Sequence, residues 1–288
     1  MFKPHNRNRL SPRALNRPDI AYIRVCTMDQ AGKGYWNTLH DHKSLQAVAN
    51  PNKPGLRNHQ VRMLDQFFRP LFEGATPDQQ LLEIGCGNSA WLPYFHQRFG
   101  VAICGLDYSE SGCEQSREIL KREGVTGEIF CQDMFNPPPE LLGRFDYVIT
   151  FGVIEHFTDT PHVIESLRRY VKPGGLLISI IPNMQGLTGL LQKWVNPEIY
   201  AVHIPLGVEQ VKQAHPPEPW QLLWCDHFMV IHLGVVNFGA GVLSWPWRLV
   251  KRLCQATTVL GWGVEKILPL TSNRWSSPHI IAVARRKQ

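Results

Sequence analysis

Apolar and polar positions follow two different patterns along this chain. The first 33 residues show neither a helical nor a strand period and are rich in Arg, Asn and Pro. Residues 34–50 read as a short helix, broken by Asn50-Pro51-Asn52-Lys53-Pro54-Gly55. Val61, Leu64, Phe68 and Leu71 then recur at helical spacing, which predicts an amphipathic helix of about four turns. From residue 80 apolar runs alternate with helical patterns. Strands are expected at 80–84, 101–106, 128–132, 145–151 and 176–181, with helices at 89–99 and 110–123 between them. Another helix opens with Thr160 as its cap and Pro161 at the first helical position, and closes at Pro173-Gly174-Gly175. A sixth strand is expected at 228–236 and a last one at 279–284. This alternation predicts βαβ units in a parallel sheet covered on both faces, whose strands read as continuous apolar runs.

Composition narrows the class. The chain has 288 residues, 43% hydrophobic and 19% charged, which is globular and excludes wholesale disorder. No repeat of 20–50 residues marks a solenoid or propeller. The net charge is +6, but residues 1–33 hold seven basic residues against Asp19 and Asp29, and Arg285-Arg286-Lys287 lies just before the last residue. The body between is close to neutral, so no nucleic-acid groove is expected. Seven cysteines with no C-x-x-C pair fit reduced thiols in a cytoplasmic protein, and no apolar leader opens the chain. Two charge-free stretches, 173–192 and 227–247, are interrupted by Gly, Pro and Asn and read as buried strands running into loops.

The chemistry gathers at one sheet edge. Leu81-Leu82-Glu83-Ile84-Gly85-Cys86-Gly87-Asn88-Ser89-Ala90 reads as strand, tight turn and helix start, with Gly87 letting a ligand approach the backbone and the helix N-terminus offering unpaired N–H groups. Asp107 ends the second strand twenty residues after Gly87, where a carboxylate can accept from both ribose hydroxyls, and Tyr108 follows. Asp133 and Met134 follow the third strand. The alternative for Asp107 is a helix cap, and for Asp133 a turn residue ahead of Asn136-Pro137. All three features lie at strand C-termini, where open α/β sheets bind ligands. A dinucleotide's pyrophosphate would meet the carboxylate of Glu83, whereas an ammonium would suit it. An adenosine that carries an amino acid is S-adenosylmethionine (SAM).

The series E-I-G-C-G-N, G-L-D-Y-S, C-Q-D-M, F-D-Y-V-I-T-F-G-V-I-E-H-F and L-R-R-Y-V-K-P-G-G-L-L-I-S-I-I-P-N resembles the motifs of class I SAM-dependent methyltransferases, in the small-molecule branch with the ubiquinone-biosynthesis O-methyltransferases. The likeness covers roughly residues 60–183. It implies a Rossmann-like, seven-stranded, mainly parallel sheet with helices on both faces and the last strand antiparallel. It also implies that Glu83, Gly85, Cys86, Gly87 and Asn88 line the methionine part. Asp107 and Tyr108 would hold the ribose and adenine, Asp133 and Met134 would flank the adenine, and Phe151, Gly152 and Val153 would pass under the sulfonium.

His156 is the expected catalytic residue, either as general base or in orienting the acceptor, with His203 and His227 behind it. No metal is expected. Residues 1–59 are read as a tail and lid segment, and 60–288 as the methyltransferase domain with acceptor-pocket insertions at about 184–226 and 240–276. Trp194, Tyr200, Trp220 and Trp224 suggest an apolar or aromatic small-molecule acceptor of a methyl group at a hydroxyl or amine, or else a secondary core. Trp245, Leu249, Leu253 and Cys254 mark one helix face opposite Arg248, Lys251, Arg252 and Gln255. Packing on the domain is preferred there over contact with a membrane surface. A NAD-dependent oxidoreductase on a similar sheet and a non-catalytic SAM-binding protein are the rival functions, and the sequence leaves the oligomeric state open.

Overall fold

The computed structural model describes residues 29–239, 244–265 and 267–288. Seven strands build one sheet: β1 (Gln80–Ile84), β2 (Ala102–Asp107), β3 (Gly127–Cys131), β4 (Phe145–Phe151), β5 (Val171–Pro182), β6 (Trp220–Phe228) and β7 (His279–Arg286). Their spatial order is β3-β2-β1-β4-β5-β7-β6. The first five pair in parallel, while β7 runs antiparallel to both β5 and β6. The order reverses at β1, so the crevice beyond the C-terminal ends of β1, β2 and β4 is the topological switch point.

The helices are α1 (Lys33–Asp41), α2 (His59–Phe68), α3 (Leu92–Phe99), α4 (Glu110–Glu123), α5 (Thr160–Arg168), α6 (Leu187–Val195), α7 (Pro197–Ala201), α8 (Val208–Gln213) and α9 (Trp245–Glu265). Two buried clusters cover the two sheet faces. One joins Leu82, Val148, Leu177 and Ile280 to Val163, Leu167 and Val211 of α5 and α8. The other joins Leu81, Ile149, Ile178 and Ile281 to Leu64 and Phe68 of α2 and Phe95 of α3. Alternate residues of one strand thus serve opposite clusters, as the period of two requires.

Several boundaries differ from the sequence reading. The cap of α5 is Asp159, whose carboxylate accepts from the His162 N–H at 3.1 Å; Thr160 is already helical. Pro173-Gly174-Gly175 lies inside β5, beside a register irregularity against β4. The sixth strand is 220–228, not 228–236: the chain turns at Met229 with φ 65 and forms a short 3-10 turn at Leu233–Val235. Trp220 and Trp224 are therefore sheet residues. Trp220 is fully buried in the core, and Trp224 packs 5.3 Å from Phe67, ring to ring. With Trp194 exposed on α6, the four aromatics do not gather into one acceptor pocket.

Candidate active site

The turn after β1 holds the geometry together. Gly85 has φ 78, and a Cβ there would sit 2.5 Å from Cγ2 of Val153, so glycine is required twice over. The Gly85 N–H donates to the Leu106 carbonyl at 2.8 Å, which ties the turn to the end of β2. The Gly87 N–H donates to Asp107 Oδ2 and the Ser109 N–H to Oδ1, both at 2.8 Å. Asp107 is thus a ligand candidate and also the brace of its own loop; burial raises its carboxyl above the usual range.

A cavity of about 520 Å3 opens at this edge, within the range of about 300–1,000 Å3 common for small-molecule sites. Gly85, Gly87, Asp107, Tyr108, Asp133, Met134, Phe151, Gly152, Val153 and His156 all line it. The fold thus brings together ten of the thirteen residues singled out from the sequence. Glu83, Cys86 and Asn88 stand behind the wall. Glu83 is buried and accepts from Ser89 Oγ at 2.6 Å; burial, opposed by that hydroxyl, pushes its carboxyl up to about 8. The Cys86 side chain is fully buried, and its carbonyl accepts from Ser116 Oγ at 2.5 Å. Asn88 faces the N-terminal segment, accepting from the Gln46 N–H at 2.9 Å and donating to the Ser44 carbonyl at 3.1 Å.

The N–H groups near the start of α3 are not open. Ser89 Oγ accepts from the Trp91 and Leu92 N–H groups at 3.0 and 3.1 Å, and the Ser89 N–H donates to Ser116 Oγ at 3.1 Å. The N–H groups expected to be unpaired there are met by hydroxyls, which removes the feature a pyrophosphate would use. Asp133 lines the cavity while also holding its own turn: its carboxylate accepts from the Phe135 N–H at 2.9 Å and from Asn136 Nδ2 at 3.1 Å.

The remaining wall comes from a segment with no motif. Asp29, Lys33, Trp36, Leu39, His40 and Lys43 line the cavity from the N-terminal side. Asp29 accepts from the Tyr108 hydroxyl and, at 2.9 Å, from Trp36 Nε1. Lys33 pairs with Glu110 at 2.5 Å. Lys43 is in no ion pair among the described residues, and burial lowers its ammonium from the ordinary value. The His40 ring lies against Gly87, where a Cβ would come within 2.6 Å of Nε2. The sequence offers a short helix in a lid segment here, and the tertiary contacts show which of its side chains line the cavity.

At the far end of the cavity stands His156. Its Nδ1 lies 2.7 Å from the Val202 carbonyl, which can only accept; Nδ1 therefore carries a proton, and in the neutral ring the lone pair is on Nε2. The ring packs edge-on to Trp36 at 4.9 Å and 4.6 Å from the His203 ring. His203 is fixed in the same tautomer by the Ile199 carbonyl at 2.6 Å, and burial lowers its imidazolium to about 4, so it is neutral. Glu155 is buried with no hydrogen-bond partner on either carboxylate oxygen among the described residues, and burial raises its carboxyl. Glu155, His156 and His203 offer ligand atoms within 4.8 Å of one another, a set able to hold a metal ion that was not expected from sequence. Glu155 and His156 are adjacent but His203 lies 47 positions beyond His156, so no ligand spacing marked the set in sequence. His227 lies elsewhere, beside Asp226 in a second cavity with Gln185 and Glu209.

A doubly wound sheet with a carboxylate-tipped second strand over a glycine turn defines a nucleoside-binding α/β protein. Comparison with known proteins takes this further. The family model described as a methyltransferase domain matches residues 56–210, and the chain belongs to this family, within the class I SAM-dependent methyltransferases. A ubiquinone biosynthesis O-methyltransferase of Maricaulis maris is 29% identical over 180 residues, covering 58% of this chain and 64% of that protein. An EEF1A lysine methyltransferase 2 of Danio rerio is 28% identical over 154 residues, covering 50% and 61%. The chain thus spans less than two thirds of the length of these relatives. Among solved structures, geranyl diphosphate C-methyltransferase from Streptomyces coelicolor superposes with a TM-score of 0.57 at 13% identity, covering 88% of this chain and 96% of that one, and it shares the fold.

The family's cofactor is SAM, and the cavity fits it. Asp107 stands at the tip of β2 on the cavity wall, and Lys43, in no ion pair among the described residues, lines the cavity from the N-terminal side.

Proposed function

We propose that this protein transfers the methyl group of SAM to a hydroxyl or amine of a small, largely apolar or aromatic acceptor. The observation that carries the reading is one continuous cavity with Gly87 and Asp107 on its wall and the His156 ring at its far end. In this reading Asp107 accepts from the ribose hydroxyls, Tyr108 and Met134 flank the adenine, and Lys43 answers the methionine carboxylate. Glu83, behind the turn, gains its charge when the ammonium binds, and Cys86 and Asn88 hold the turn in shape. SAM supplies an activated methyl group on a good leaving group. The protein's work is alignment and the exclusion of water. Trp36 and Phe157 wall the His156 end, and residues 29–43 act as the lid. His156 Nε2, with its lone pair fixed by the Val202 contact, takes the proton of a hydroxyl acceptor.

Calorimetric titration with SAM tests the cofactor half, and radiolabel transfer into extracted small molecules tests the acceptor half. Asp107→Ala is expected to weaken SAM by about 1.5–3 kcal/mol, the usual worth of a charged hydrogen bond. His156→Ala is expected to lower kcat by about 10²–10⁴ with SAM affinity unchanged. Equal SAM affinity in wild type and Asp107→Ala would remove Asp107 from the site. Label found mainly in precipitated protein or RNA would overturn the acceptor class.

A further inference from the structure

The sequence suggested that α9 packs through Trp245, Leu249, Leu253 and Cys254, and the structure reverses most of this. Cys254, Thr258 and Trp262, at i, i+4 and i+8, form the buried stripe, anchored by the Trp262 Nε1 bond to the Ile231 carbonyl at 2.8 Å. Leu249, Leu253, Leu260 and Val264 form a second apolar stripe on the opposite side, continued by Trp245 at the helix start. These residues stay open: Trp245 is 69% exposed, Leu253 56% and Leu260 70%. A helix with one apolar face spent on the domain has no folding reason for a second.

A neighbouring helix repeats the arrangement. Leu187, Leu190 and Trp194 of α6, at i, i+3 and i+7, are all exposed. The Trp194 ring meets Trp247 of α9 at 5.1 Å, and the Leu187 N–H donates to the Trp275 carbonyl at 2.7 Å. The two helices therefore meet through this tryptophan pair, and the start of α6 is tied to the chain after α9.

The charge on these elements has one sign. Arg248, Lys251 and Arg252 on α9, Lys193 on α6 and Arg274 after α9 make no ion pair among the described residues. The single acid of α9, Glu265, is turned inward onto His59 at 3.0 Å and the Val230 N–H at 3.1 Å. No helix among the described residues is long and apolar enough to cross a membrane. Exposed Trp and Leu beside unpaired Arg and Lys is the chemistry of a helix lying in a lipid interface.

We propose that α9 and α6 dock on the surface of an anionic phospholipid bilayer, with the Leu249–Val264 stripe entering the headgroup boundary and the basic side chains meeting the lipid charge. The proposal does not depend on the methyl-transfer reading. It is tested on the full chain by sedimentation with vesicles of phosphatidylcholine alone or mixed with phosphatidylglycerol. Binding is expected to the mixed vesicles, weaker in high salt, with a blue shift of tryptophan fluorescence. The double variant Leu253→Ser/Leu260→Ser, altered only at exposed positions, should bind about tenfold more weakly with an unchanged melting temperature. The charge variant Arg248→Glu/Arg252→Glu should lose the preference for phosphatidylglycerol. No sedimentation with the mixed vesicles, or equal sedimentation of wild type and the leucine variant, would overturn the proposal. So would equilibrium ultracentrifugation in which the leucine variant dissolves a dimer while vesicle binding is absent, since a second copy of the chain would then cover the face.

Discussion

Glu83 shows how one side chain can couple the cofactor turn to pH. Burial lifts its carboxyl from 4.5 to about 8, so the empty folded protein holds a proton that the unfolded chain gives up. Its contribution to stability is present in full below about pH 4.5 and is lost as pH rises toward 8, because folding must then bury either the charge or a bound proton. The melting temperature of the cofactor-free protein should fall across that window, and Glu83→Gln should flatten the slope while keeping an acceptor for Ser89. Thermal melts from pH 5 to 8.5 decide it: parallel curves for the two proteins would assign the slope to other groups. At this scale the sequence was informative where chemistry and strand position coincide, as at Gly85, Gly87 and Asp107. It was silent about Asp29, whose bond to Tyr108 spans 79 residues, and about Lys43, whose place on the cavity wall depends on tertiary contacts.

At the scale of elements, α1 lies almost wholly within the short helix read at 34–50, but which of its side chains reach the cavity was not visible in sequence. Its sequence, Lys-Gly-Tyr-Trp-Asn-Thr-Leu-His-Asp, turns Trp36, Leu39 and His40 onto the cavity, and so short a helix is held by tertiary contacts. Gln115 Nε2 donates to the His40 carbonyl at 2.7 Å, and Asn37 shares Glu110 with Lys33. The buried strands were legible because both faces are apolar. The edge strand β6 was not, since Gln221, Leu223 and Asp226 are exposed along it and break the run. The apolar stretch after it, 228–236, drew the assignment instead. A specific consequence attaches to Gly87. The Cβ of Gly87→Ala would press on His40 from 2.6 Å and on Asp107 Oδ2 from 3.0 Å. The variant is expected to lift α1, exposing the 29–43 segment to limited proteolysis and weakening SAM, while the melting temperature of the domain changes little. Resistance to cleavage equal to wild type would show that α1 is not seated on this glycine.

For the whole molecule, the sheet order and the cavity at its switch point follow from the alternation of strands and helices, which the sequence displays plainly from residue 80 to 182. Fold prediction weakens beyond Pro182. There the chain leaves the βαβ rhythm, two short helices lead to His203, and long-range contacts replace periodicity. The elements after Pro182 also bear the apolar surface of α6 and α9, so the part of the molecule hardest to read in sequence is the part that departs most from a closed, polar exterior.

Asp29 has a consequence for timing. One carboxylate grips Tyr108, on the β2 loop, and Trp36, on α1, so it bridges the two sides of the cavity mouth. Both grips are expected to open before a spent cofactor leaves, and that opening is expected to be slower than methyl transfer. The first turnover should therefore outrun the later ones, giving a rapid burst of about one product per enzyme followed by a slower linear phase. Asp29→Ala should shrink the burst and speed the linear phase. Rapid-quench traces that are linear from the first milliseconds in the unaltered protein would place the slow step in the chemistry instead.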